Sequence, residues 1–220
     1  MKNVLLSIFC LAVLSCASRT ISENEKVVVL KELKCISEID QKYAGIPPKE
    51  LFEKYGEEKG WQVFISKRDS VGDDNQQRIK KLYDRYGYLG FDKVGSSEAD
   101  FWISIQHADD DVEFQKKMLK ALRKEIRRNN APKLHYAMLE DRIAINTNQK
   151  QRFGSQVAYN QLGQAVPKNG LIDSAHIEQL RKQYDMPSFK KYYNDMTIMH
   201  YEMNKENLNK KGIHEPQLYK

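Results

Sequence analysis

Asp40, Asn75, Gln106 and Asp141 are polar residues standing at positions of otherwise apolar helical periodicity, and His107 and Arg142 directly follow two of them. Burying a carboxylate or an amide without partners costs several kcal/mol. Residues of this kind therefore mark either a mutually bonded network or a wet pocket. The types present suit two kinds of chemistry. His107 with Asp141 or Asp40 has the composition of an acid–base pair, because a carboxylate can orient an imidazole to take up or release a proton. The amides of Gln106 and Asn75 suit the orientation of a polar ligand, and Asp141 with Arg142 or His107 suits a charge-assisted pair. The alternative is a network that only fixes how helices pack.

Other chemistry finds little support. His107, Asp109 and Asp141 are metal-ligand types, but no HExxH, CxxC or calcium-loop spacing accompanies them, so neither a metal nor another cofactor is expected. There is no GxSxG elbow, phosphate-binding glycine loop or dinucleotide fingerprint. The Gly154-Ser155-Gln156 run has turn composition, and His135, His176, His200 and His214 lie in surface-like contexts without an assigned role.

The elements that must position these residues are mostly helical. Val29, Leu33, Ile36 and Tyr43 share one helix face with Asp40, and Gly45-Ile46-Pro47-Pro48 ends it. Glu50 to Tyr55 reads as a short helix and Trp61 to Ile65 as a short extended piece. Asp73 or Asp74 then caps a helix carrying Asn75, Ile79, Leu82 and Tyr86 as far as Gly87. A further helix after Gly95-Ser96-Ser97 places Ala99, Trp102, Ile103 and Gln106 on one side. Asp110 with Glu113 reads as a capping box for the next helix, whose stripe of Phe114, Met118, Leu122 and Ile126 opposes a run of lysines and arginines, most simply a solvated face.

Asn129-Asn130-Ala131-Pro132 divides that helix from one bearing Leu134, Met138, Asp141 and Ile145. Residues 152–158 and 164–167 read as a hairpin. Two more helices follow, one capped by Asp173 or Ser174 and one starting near Ser188, before a charged tail expected to fray from 208 to 220. The fold class expected is mainly α, a single helical domain over 29–207 with a small β-hairpin in its C-terminal third.

The amino terminus has targeting character. Met1-Lys2-Asn3 precedes an apolar run from Val4 to Leu14, too short for a bilayer span of about 20 residues but suited to a signal peptide. Val13-Leu14-Ser15-Cys16 resembles the lipobox of bacterial lipoproteins, which implies a signal peptide over 1–15, lipidation of Cys16 and a tether over 16–28. Ser15-Cys16-Ala17 also fits plain secretion. Cys10 leaves with the signal and Cys16 takes lipid, so Cys35 stands alone, expected as a small buried hydrophobe rather than a disulfide partner. A net charge of +6 with acidic residues interspersed throughout describes a solvated surface, not a nucleic-acid binder.

Several motifs carry a family resemblance. Asp40-Gln41, Val94-Gly95, Trp102 with Gln106-His107-Ala108-Asp109 and Phe114-Gln115, Leu139-Glu140-Asp141-Arg142 and Gln151-Arg152-Phe153-Gly154-Ser155-Gln156 stand in this order. The series, over roughly Leu30 to Tyr192, resembles a bacterial family named domain of unknown function 6624. That family tends to have Tyr-Gly-Thr-Gln in place of Phe153-Gly154-Ser155-Gln156 and Gly-Trp-Pro in place of Gly87-Tyr88-Leu89, and residues 44–72 look like an extension particular to this chain. The resemblance sets Gln41, Asp109 and Gln156 beside the residues found by periodicity and implies no established activity. The expected protein is therefore a lipid-anchored envelope protein, in the outer membrane facing the periplasm, whose polar cluster serves ligand binding or packing. Its expected partners are the membrane, through Cys16, and a small ligand or an envelope component. The alternative is a hydrolase-like enzyme using His107 with Asp141 or Asp40.

Overall fold

The computed structural model describes residues 20–220, so the expected signal peptide and Cys16 lie outside the described residues. Helix α1 (Glu23–Ala44) starts where Ser22 accepts from Glu25 N and the Glu25 carboxylate accepts from Ser22 N, satisfying two backbone donors reciprocally. Its buried face is Val29, Leu33, Ile36 and Asp40, and it stops ahead of Pro47-Pro48. The short α2 (Lys49–Tyr55) leads through Gly56 into α3 (Glu57–Tyr86), which packs on both α1 and α2.

Helix α3 corrects two expectations at once. Trp61 to Ile65 is helical and not extended, and Asp73 and Asp74 lie inside the helix and do not start it. Aromatic and β-branched composition suggested a strand, but Phe64 is buried, with its ring near those of Tyr43 on α1 and of Trp61, itself beside Phe52 on α2. That tertiary packing overrides local propensity. Gly72 costs the helix about 1 kcal/mol relative to alanine, too little to break a segment held at both ends.

After Gly87, whose φ of 70° suits glycine, come a single turn α4 (Phe91–Val94), α5 (Glu98–Gln106), α6 (Val112–Arg127) and α7 (Lys133–Asn146). Asp111, one residue later than expected, caps α6 by accepting from Phe114 N at 2.9 Å. Asn130 caps α4 instead of opening α7: its side-chain oxygen accepts from Asp92 N at 2.8 Å. One core joins α1, α3, α5, α6 and α7 through Leu33, Ile36, Ile79, Phe101, Ile105, Met118, Leu122 and Leu139.

The C-terminal third packs on α7. Strands β1 (Val157–Tyr159) and β2 (Ala165–Pro167) form an antiparallel hairpin with Ala158 opposite Val166, followed by α8 (Ile177–Gln183) and α9 (Phe189–Lys210). Phe153, Ala137 and Met186 make a second small core there. The tail does not fray. Tyr219 donates its hydroxyl to Ala165 O at 2.8 Å and its N–H to Asn194 Oδ1, while its ring meets Phe189 and Tyr193.

Cys35 is exposed, because it falls between the buried positions Leu33 and Ile36, on the outer face of α1. His135 is the opposite case. Its ring stacks on Trp102 at a centroid distance of 4.0 Å, and its Nδ1 lies 2.8 Å from the fully buried Glu98 carboxylate.

Candidate functional site

Periodicity placed Asp40, Asn75, Gln106 and Asp141 inside, and all four are buried. They do not form one cluster. Asn75 on α3 donates to Ile36 O on α1, and Gln106 on α5 donates to Met138 O on α7, so each amide ties two helices together. Asp141 is fully buried and accepts from the backbone N–H groups of Arg152, Phe153 and Ser155 at 2.8, 3.0 and 2.8 Å. Burial pushes its carboxyl up, against the pull of those three donors. Its partner is therefore the loop before the hairpin, neither Arg142 nor His107.

Arg181, also buried, donates to Phe153 O and Gly154 O from the other side of that loop. The loop from Arg152 to Ser155 is thus held by Asp141 on the N–H groups of Arg152, Phe153 and Ser155 and by Arg181 on the carbonyls of Phe153 and Gly154.

The remaining candidates meet at the joint between α5 and α6. His107 ends α5, and its Nδ1 lies 2.8 Å from Asp40 Oδ2 on α1, an oxygen that also accepts from Gln41 Nε2 at 3.0 Å. A carboxylate can only accept, so this contact fixes the imidazole proton on Nδ1. Nε2, the nitrogen that carries the lone pair in the neutral ring, has no partner among the described residues. The Asp40 side chain is 8% exposed and that of His107 32%, so the carboxylate is shielded while the ring reaches solvent.

Two residues on, Asp109 receives a two-pronged contact from Arg142, Nε to Oδ1 at 2.7 Å and Nη2 to Oδ2 at 2.5 Å. Asn146, one turn beyond Arg142 on α7, donates to the same carboxylate at 2.8 Å. Burial disfavours the Asp109 anion, but the Arg142 and Asn146 hydrogen bonds and the nearby charge of Arg142 outweigh it and hold the carboxyl below its ordinary value. Arg142 Nη1 also donates to Gln156 Oε1 at 3.1 Å, which ties the pre-hairpin loop to the joint. Gln115 on α6 completes the frame, donating to Ile105 O and Gln106 O at the end of α5 while accepting from Asn146.

Comparison of the chain with protein-family models, with curated proteins and with solved structures finds no match.

The site thus consists of Asp40, Gln41, His107, Asp109, Arg142 and Gln156, supported by Gln115 and Asn146. Asn146 is not among the residues that the sequence pattern singled out. Its spacing from Arg142, four residues along one helix, was the available signal. Gln115, which stands in the motif series but was given no role, lies beside the apolar stripe of α6. Among the described residues, no group of three His, Cys, Asp or Glu side chains is placed to hold a metal ion.

Proposed function

We propose that this is a lipid-anchored envelope protein that binds a small polar substrate over His107 and acts on it by acid–base catalysis, with Asp40 orienting the imidazole. The observation that carries the reading is the 2.8 Å contact between a shielded carboxylate and a ring nitrogen whose partner nitrogen is unbonded. In such a pair Nε2 withdraws a proton from water or a substrate hydroxyl, and the carboxylate stabilises the imidazolium that forms. The adjacent Arg142–Asp109 pair keeps the joint rigid and leaves guanidinium N–H groups to receive an oxygen of the substrate.

The test is turnover of a panel of chromogenic esters, phosphoesters, amides and glycosides by the wild type, His107→Gln and Asp40→Asn. Loss of about 100-fold or more in both variants, with melting temperatures held, supports the dyad. Retained turnover in both would exclude it. If no panel member is turned over and both variants melt several degrees lower, the contact is only packing.

The anchor rests on the Val13-Leu14-Ser15-Cys16 pattern. Among the described residues no helix is long and apolar enough to cross a membrane. Intact-mass measurement of the mature chain tests the anchor, and an unmodified amino terminus would remove it. Membership of the family named in the sequence analysis stays part of this proposal, supported by the meeting of its Asp40, His107, Asp109 and Arg142 motif positions in one site.

A further inference from the structure

The basic run of α6 is exposed, as its pattern implied, but it is not a plain convex surface. It forms one wall of a groove of about 1050 Å³ whose other wall is the end of α3 and the turn after it. Of the residues lining the groove, seven are Lys or Arg and three are Asp or Glu. The three carboxylates are already matched: Glu113 to Lys116 at 2.8 Å, Asp84 to Lys117 at 3.5 Å and Glu125 to Arg128 at 3.4 Å. Arg85 lies 2.8 Å from Glu25. Lys93, Lys120 and Lys124 remain, and none of them has a carboxylate within ion-pair distance among the described residues.

Lys93 is the unusual member. The residue is only 7% exposed, and its ammonium donates to Tyr86 O at 2.6 Å and Tyr88 O at 2.9 Å, which uses two of its three protons. A buried cation held by carbonyls alone is costly, and burial pulls its pKa down against the weaker opposing charges of Asp92 and Glu125. Such a charge is kept where an anion completes it. Tyr83, Tyr86 and Tyr88 line the same groove; Tyr86 and Tyr88 are buried with their hydroxyls donated to Glu25 and Glu98, which leaves the ring of Tyr83 to meet the body of a ligand.

We propose that this groove is a binding site for an anion carrying two or more phosphate groups, with Lys93 at its base and Lys120 and Lys124 along its rim. The volume lies just above the range for small-molecule sites, about 300 to 1000 Å³, which leaves room for a ligand with several phosphate groups. Concavity and a recessed ammonium favour a discrete ligand over a flat membrane surface, which could reach Lys120 and Lys124 but not Lys93. The residues involved are separate from those around His107, so the two proposals stand or fall independently.

The chemistry is common to a free oligophosphate and to a lipid headgroup with two phosphates. The experiment is calorimetric titration of the full chain with sodium tripolyphosphate and with water-soluble short-chain cardiolipin, against sodium sulfate at matched ionic strength. Saturable binding of either phosphate compound, tighter than sulfate, is expected, and the tighter of the two names the source. Lys120→Gln combined with Lys124→Gln changes only exposed side chains without carboxylate partners, and it should weaken that binding at least about tenfold. Lys93→Met should weaken it as well, with melting temperature checked in parallel. Binding of both compounds no tighter than sulfate overturns the proposal, as does an affinity within twofold of wild type in the double variant. Binding of a single-stranded oligonucleotide where tripolyphosphate fails also overturns it, in favour of nucleic acid.

Discussion

Replacing Asp141 by alanine should be among the most damaging single changes away from the apolar core, whereas His107→Gln should be mild. Asp141 Oδ1 and Oδ2 accept three backbone hydrogen bonds, and the N–H groups of Phe153 and Ser155 are themselves buried. Alanine leaves those two donors without partners, at roughly 1 to 3 kcal/mol each, while Arg152 N can turn to water. The expected loss is about 4 kcal/mol, from a total stability on the order of 5 to 15 kcal/mol. For a domain of this size that lowers the melting temperature by about 8 to 16 °C.

Asp141→Asn retains one acceptor oxygen and should lose roughly half as much. His107→Gln keeps a donor for Asp40 at a partly exposed position, so a change within about 1 kcal/mol is expected. Thermal and urea denaturation followed by circular dichroism measures both. Amide hydrogen exchange at Phe153 and Ser155 localises the effect. An Asp141→Ala melting temperature within 3 °C of wild type would show that the loop does not depend on this carboxylate. A His107→Gln loss equal to that of Asp141→Ala would show that the dyad is structural after all.

Two further outcomes follow from the same contacts. The Asp109 carboxyl is held below its ordinary value, so its stabilising contribution is complete above about pH 4, the unfolded value, and is lost as pH falls through the lower folded one. Asp109→Asn should therefore be less stable than wild type near pH 6, with the gap between their urea midpoints closing towards pH 3; a gap independent of pH would refute the ion-pair account. Deleting residues 215–220 removes the Tyr219 bonds to Ala165 and Asn194 and its ring contacts, which should cost about 1 to 3 kcal/mol and speed proteolysis near the hairpin. An unchanged melting temperature would mean the tail is only laid on the surface.

Much of this was legible from local pattern. The stripe of α1, the stop at Gly45 to Pro48, the existence of a small hairpin and the burial of Asp40, Asn75, Gln106 and Asp141 all follow from periodicity and turn residues, although the first strand starts at Val157 and not at Arg152, where the backbone is taken by Asp141. These are properties of short segments, where neighbours in sequence decide the outcome. Where a distant partner competed, local reading failed. Trp61 to Ile65 became helix because α1 and α2 pack against it, and the tail docked because Ala165 and Asn194 offered it partners.

Partner choice was the part that only tertiary structure decided. Periodicity says that a residue faces inward, but not how each helix is rotated and shifted against the next. A shift of one turn, about 5.4 Å, exchanges one partner for another. Asp40 and His107 are 67 positions apart, and Asp109 and Arg142 are 33 apart. The sequence by itself therefore determined that Asp40, Asn75, Gln106 and Asp141 are polar and buried. The packing of α1, α5 and α7 decided that Asp40, not Asp141, meets His107, and that Asp141 holds a loop.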